Sequence, residues 1–405
     1  MGRGTSESSE APVPGGSGAQ IHVAWNLLFL VPGETGGLET YARHLMPALA
    51  RAGAPEFRFT AVIAREAEGW EPLRRIEGVD VVELPVCSRR REQWILGEQF
   101  LVPRALRANG IDLLHNLTAT GPLWPGRPQV TTVHDLIYNV VPESSPGLRG
   151  AVMRRLAPAV ARRSERVITD SEASARDLER IAHLDASRVR VVPIAADTVA
   201  VVPECGPEEI RQRFQIETRR LALCPGGMKP HKNVVRLLEA LALMPRDRRP
   251  VLLLPGYSTG HQETLVRRCA ELGLEGDVRF LGWVDDALLE ALYAAADILI
   301  FPSLYEGFGL PVLEAMMRGV PVVCSNAASL PEVGGDAVRY FDPLDVAAMA
   351  AEITLVLDDG DLRARMAGAA LERAGGFSWE RAARETLEVY RTALASAREG
   401  ATGGR

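Results

Sequence analysis

Two glutamates bracket the segment Glu306-Gly-Phe-Gly-Leu-Pro-Val-Leu-Glu314, and the residues between them set the chemistry they can do. The apolar run before them (Ile298, Leu299, Ile300, Phe301) reads as a buried parallel strand. Gly307 and Gly309 then turn the chain, and Pro311 suits the first position of a helix, where a missing N–H costs nothing. The N–H groups at such a helix start favour a phosphate or another anion. Carboxylates repel phosphate but accept hydrogen bonds from sugar hydroxyls. A ligand that carries both groups, a nucleotide sugar, fits the segment.

A cation for the phosphate stands elsewhere. Of the 46 basic residues only two are lysines, and both lie in Gly226-Gly227-Met228-Lys229-Pro230-His231-Lys232-Asn233. A coding bias toward Arg explains their number but not their shared place. A compact ammonium explains the place, since Lys meets phosphate as a point charge where Arg offers a planar fork. Lys229 alone reads as a solvated loop lysine.

These residues need elements to position them. Short β-branched runs at 21–25, 57–64, 79–84, 111–115, 130–133, 167–169 and 189–193 alternate with longer amphipathic stretches. The rhythm restarts with 221–225, 251–255, 278–281, 298–301 and 320–324. Such alternation predicts doubly wound parallel α/β sheets. The weak signals over 193–210 place a boundary near 195–205, between an N-terminal domain (19–195) and a C-terminal domain (200–376). Residues 1–18, polar and rich in Gly, Ser and Pro, read as a disordered tail. A final amphipathic helix over 377–396, with Leu387, Tyr390 and Leu394 in step, has no following strand and is expected to cross back to the first domain. Ligands of open α/β sheets bind beyond the carboxyl ends of the strands. The loops 33–40, 134–135, 226–233 and 306–310 all occupy that place, two from each half, so a cleft between facing domains would gather them.

Composition excludes several alternatives. The chain has 405 residues, is 47% hydrophobic and 24% charged, and carries a formal net charge of −6, against a general nucleic-acid binder. Five scattered cysteines with no CxxC pair offer neither a disulfide framework nor a zinc site and fit a reducing cytoplasm. No apolar run reaches membrane-spanning length. Val31-Pro-Gly33-Glu-Thr-Gly36-Gly37 does not match GxGxxG, which disfavours a dinucleotide oxidoreductase. The one Asp-x-Asp, Asp359-Gly-Asp361, reads as a surface turn, so no metal or cofactor is called for. Residues 146–166 hold Arg149, Arg154, Arg155, Arg162, Arg163 and Arg166, with Leu148, Val152, Leu156 and Val160 at helical spacing and Pro158 as an expected kink. Arg89, Arg90 and Arg91 precede Trp94, Ile95 and Leu96. Each run reads first as a solvated face; the second reading is weak peripheral contact with a membrane at the cytoplasmic side, or with an anionic acceptor.

Phe301-Pro-Ser-Leu-Tyr-Glu-Gly-Phe-Gly-Leu-Pro-Val-Leu-Glu-Ala-Met, continued by Gly319-Val-Pro-Val-Val and Ser329-Leu-Pro-Glu-Val, resembles the retaining GT-B glycosyltransferases of family 4, marked by two Glu separated by seven residues. The resemblance implies two facing Rossmann-like domains around a cleft, 19–195 on the acceptor side and 200–376 on the nucleotide-sugar donor side, and sugar transfer from a nucleotide diphosphate sugar to a hydroxyl acceptor: a glycan, a lipid-linked glycan or a small natural product. It assigns Glu306 to the donor-sugar hydroxyls, Glu314 to the ribose, and the backbone N–H groups of Gly307, Phe308, Gly309 and Leu310 to the sugar and diphosphate. Lys232, on the Gly226-Gly227 turn, would stabilise the departing diphosphate. Gly37, in Gly36-Gly37-Leu38-Glu39-Thr40, would approach the donor phosphate, and His134 the donor sugar and reaction centre. Many relatives place an Arg where Gly227 stands, which leaves one cation or two on the phosphates. Base contacts would lie near Gly256-Tyr257 and Gly282-Trp283. The same architecture also hosts nucleotide-sugar epimerases, and a non-catalytic nucleotide-sugar binder is a third reading, against which the set Glu306, Glu314, Lys232 and His134 speaks.

Overall fold

The computed structural model describes residues 20–196, 202–216 and 218–402; the tail 1–18 and residues 197–201 of the expected boundary lie outside them. The first half forms β1 (Ile21–Leu27), β2 (Phe57–Ile63), β3 (Val79–Glu83), β4 (Leu113–Asn116), β5 (Gln129–Thr132), β6 (Arg166–Thr169) and β7 (Val189–Val191). They make one seven-stranded sheet in the order β3-β2-β1-β4-β5-β6-β7, with every pairing parallel. The second half adds β8 (Leu221–Leu223), β9 (Val251–Pro255), β10 (Val278–Gly282), β11 (Ile298–Phe301), β12 (Val322–Ser325) and β13 (Arg339–Phe341). These six, again all parallel, follow the order β10-β9-β8-β11-β12-β13.

Helices cover both faces of each sheet, which is why central strands such as Val251–Pro255 and Ile298–Phe301 are apolar and buried throughout. β13 escapes sequence reading because its three residues, Arg-Tyr-Phe, hold no apolar run.

The strand order reverses beside β1 in one sheet and beside β8 in the other, and crevices open at such switch points. The loop with Lys232 leaves β8 and the loop with Glu306 leaves its neighbour β11, so topology joins residues far apart in sequence. His134 leaves β5, two strands from β1, and the Gly36-Gly37 turn follows β1 itself.

The last helix, Trp379–Thr402, packs on helix Gly37–Gly53 and on β5 and β6. Its Tyr390 hydroxyl meets His115 Nδ1 at 2.7 Å, and His115 Nε2 lies 2.8 Å from Thr132 Oγ1. Burial pushes the His115 imidazole down to about 3, so this histidine is a neutral core residue.

Helix Gly147–Arg163 continues past Pro158 without interruption. The proline cannot donate to the carbonyl of Arg154, but Asn139 Nδ2 donates to it at 3.1 Å instead. The buried face is Met153, Ala157, Val160 and Ala161, whereas Leu148 and Val152 are exposed. In the second basic run Trp94 is buried under Arg91 and Arg89 pairs with Glu34, while Leu96 is exposed. Among the described residues no helix is long and apolar enough to cross a membrane.

Candidate active site

Lys232 Nζ lies 2.7 Å from Glu306 Oε1, and both side chains are largely buried. The ammonium also sits over the Phe301 ring, 4.8 Å from its centroid. Burial opposes a charge on Glu306, but Lys232, His231 and the hydrogen bonds from Lys232 and Ser303 outweigh it, holding the carboxyl below its ordinary range. Gly226 has a φ of 139°, which favours glycine, and packs against the stem of this lysine, where a Cβ would stand 3.4 Å from Lys232 Cε. A Cβ on Gly227 would meet the Tyr257 ring at 2.8 Å. Lys229 is half-buried and lies over that same ring, 6.0 Å from its centroid, away from the Lys232 pair.

Helix Leu310–Met317 begins after Gly309, whose φ of 106° is one that glycine adopts without strain. At its start Pro311 carries no N–H and Val312 N donates to the Gly309 carbonyl at 2.9 Å, while the partial positive charge of the helix start remains. The Phe308 side chain turns into the core and packs on Phe377 at 5.9 Å. Leu310 reaches the first domain, where a Cβ on Gly37 would lie 3.5 Å from its Cδ1.

Glu314 lies within this helix. It accepts from Tyr293 Oη at 2.7 Å, and Arg318 spans Glu290 and the Glu314 carbonyl. Sequence reading missed both Tyr293 and Arg318, which sit at unremarkable helical positions. A cavity of about 240 Å³ opens beside Glu314, lined by Gly36, Arg43, Trp283, Asp286 and Tyr293 among others, so both domains contribute walls. Trp283 is 64% exposed and offers an aromatic face there. Glu39 does more than favour its helix dipole: it accepts from Gly33 N (2.7 Å), Trp70 Nε1 (3.1 Å) and Arg43 Nη2 (3.1 Å), fixing the loop after β1.

His134 Nδ1 lies 2.7 Å from Asp170 Oδ2 and Nε2 lies 3.2 Å from the Leu117 carbonyl. With an acceptor at each nitrogen, the ring is fully satisfied only as imidazolium. Burial opposes that charge, but Asp170, the Leu117 carbonyl and Asp135 together raise the imidazole above its ordinary value. A ring so held is a poor proton acceptor. Asp170 gave no signal in the sequence, where Asp-Ser before a helix reads as a cap. We expect the His134 imidazole to titrate above about 6.5 by NMR and to fall when Asp170 is replaced by Asn. A raised histidine contributes stability that is full below the unfolded value of about 6.5 and is lost as pH rises through the folded one. The stability difference between wild type and Asp170→Asn should therefore shrink with rising pH; a wild-type ring titrating at or below the ordinary value would contradict this.

The two halves meet at Gly307. A Cβ there would fall 2.4 Å from the His134 carbonyl oxygen and 2.9 Å from Asp135 Cβ. The residue read from sequence as room for a ligand is also room for the opposite domain. The structure thus brings together Lys232 with Glu306, Gly37 with Leu310, and Gly307 with His134, while Glu314 faces a separate cavity. Asp359 caps helix Gly360–Ala374, accepting from Leu362 N.

Comparison with known proteins accounts for both halves. The family described as Glycosyltransferase Family 4 matches residues 35–199, and Glycosyl transferases group 1 matches residues 207–373. O-antigen chain mannosyltransferase B of Escherichia coli is 39% identical over 268 residues, covering 65% of this chain and 70% of that protein. The MMP alpha-(1->4)-mannosyltransferase of Mycolicibacterium hassiacum is 33% identical over 285 residues, covering 67% of this chain and 66% of that protein. HepE of Anabaena, solved with UDP and glucose, shares the fold with a TM-score of 0.72 at 22% identity, over 92% of this chain and 100% of that one. The chain belongs to the GT-B glycosyltransferases of family 4 type.

Proposed function

We propose that this protein moves a sugar from a nucleoside diphosphate sugar to an acceptor hydroxyl, with retention at the anomeric carbon and without a metal. The buried Lys232–Glu306 pair carries the proposal. It sets a cation for the leaving diphosphate against a carboxylate for the sugar hydroxyls, beside a helix start that favours anions. Glu314, held by Tyr293 at the mouth of the cavity with Trp283, takes the ribose, and the base lies toward Trp283. With His134 favouring its protonated form, the departing phosphate oxygen is the better acceptor for the proton of the incoming hydroxyl, on the face the donor leaves. The two mannosyltransferase relatives make mannose the first sugar to test, and HepE supports a nucleoside diphosphate as the carrier.

The test begins with a thermal-shift panel of nucleoside diphosphates and their sugars, mannosyl and glucosyl donors included. A ligand at a hundred times its Kd should add about 2.7 kcal/mol to apparent stability. The stabilising donor is then incubated with hydroxyl acceptors and the product anomer read by NMR. An inverted product would refute retention, and donor conversion with no acceptor requirement would point to an epimerase.

A further inference from the structure

The turn after β6 touches both half-sites. Ser171 caps helix Glu172–Ala182 by accepting from Ser174 N, and its own proton crosses the cleft to the Gly307 carbonyl at 2.7 Å. Ser174 Oγ lies 3.0 Å from the His134 carbonyl and 3.3 Å from the same Gly307 carbonyl. The second domain reaches back: the Glu332 carboxylate accepts from Glu172 N at 2.7 Å and Ala173 N at 2.8 Å. Ser329, on the turn that carries Glu332, lies 3.0 Å from the Glu306 carbonyl and 2.8 Å from that of Phe308. Three successive carbonyls of the Glu306 loop thus meet buried serine hydroxyls, the middle one from the opposite domain. Tyr305, one residue earlier, donates to Asp177 of the same first-domain helix at 2.8 Å.

Helix capping alone explains less than this. A cap requires Ser171 to accept from its own helix and leaves its proton free to go anywhere. Here that proton and the shared proton of Ser174 bridge the domains at Gly307, the residue next to Glu306, and both oxygens of Glu332 bridge them at Glu172 and Ala173.

We infer that Ser171, Ser174 and Glu332 are positioning residues that lock the Glu306 loop to the His134 loop, so that the two half-sites come into register only when this latch is made. The inference rests on the glycosyl-transfer reading. Lys232, Glu306 and Glu314 all belong to the second domain, so donor binding by itself does not need the latch, whereas turnover does. Misplacement by about 1 Å is enough to reduce turnover roughly 10²-fold.

The test compares wild type, Glu332→Gln and Ser171→Ala/Ser174→Ala, using the nucleoside diphosphate that stabilises wild type most. We expect its Kd to stay within about twofold while kcat falls roughly 10²-fold, and Ser171→Thr to retain most of kcat. Glu332→Gln leaves the serine cap intact and so guards against a folding defect. Unchanged kcat in both variants overturns the latch, as does a fall in affinity by the same factor as kcat. If wild type transfers no sugar at all, the functional reading fails separately. Small-angle scattering with the diphosphate then judges the latch: the variants should be more expanded than wild type, and identical profiles overturn it.

Discussion

Replacing Lys232 with alanine is expected to weaken nucleoside diphosphate binding and to lower turnover by roughly 10²–10³-fold, the range found when a single stabilising donor to a developing charge is removed. The reason lies in what remains. Lys232 and Glu306 are each mostly hidden from water and 2.7 Å apart, and the lysine is the chief influence holding the glutamate ionised against its burial. Without it, the diphosphate meets a carboxylate with no cation between them. Breaking a buried pair from one side generally costs about 3–5 kcal/mol, so a lower melting temperature should accompany the kinetic loss. Lys232→Arg should not restore activity, because a planar guanidinium cannot take the place of the compact ammonium that meets Glu306 at 2.7 Å over the Phe301 ring. Glu306→Gln separates the two roles: it keeps the shape and removes the charge, so turnover should fall much more than donor affinity. Calorimetric Kd and steady-state kcat on the three variants decide the matter. Wild-type diphosphate affinity in Lys232→Ala would remove the lysine from the phosphate site.

The Lys232–Glu306 pair was legible in the sequence because its signals are local: a lysine where all other bases but one are Arg, and a carboxylate beside glycines at a strand end. Parallel topology then joins them through adjacent strands β8 and β11. Asp170 was not legible, because its partner His134 lies 36 residues away and Asp-Ser before a helix has an ordinary local explanation. Ser171 and Ser174 were hidden in the same way, since capping residues look alike whether or not they also bridge domains, and Glu332 stood only within the Ser329-Leu-Pro-Glu-Val match, with no role attached to it. Phe308 shows the converse. It sits inside the most informative motif, yet its side chain is core packing against Phe377. Along Gly147–Arg163, helical spacing grouped Leu148 and Val152 with Leu156 and Val160, yet Leu148 and Val152 are exposed while Met153 and Ala157 face inward. Periodicity states that a face exists; neighbours decide which face.

Gly307→Ala should abolish most turnover while leaving donor binding nearly intact. The new Cβ would fall 2.4 Å from the His134 carbonyl oxygen, and backbone on both sides leaves little freedom to relieve the clash locally. The remaining relief is for the domains to part. That breaks the hydrogen bonds from Ser171 and Ser174 to the Gly307 carbonyl, and the half-sites lose register. Overpacking of this kind generally costs about 1–3 kcal/mol, small enough for each domain to keep its own core. Lys232, Glu306 and Glu314 keep their places within the second domain, so the diphosphate still binds. We expect kcat to fall by roughly 10²-fold or more with a Kd within a few-fold of wild type. Gly227→Ala is the control. Its Cβ would lie 2.8 Å from the Tyr257 ring, but that side chain is 49% exposed and can swing aside, so kcat should change far less. Equal losses in the two variants would mean that any crowding near the cleft impairs turnover; a loss confined to Gly307→Ala ties activity to the contact between the domains.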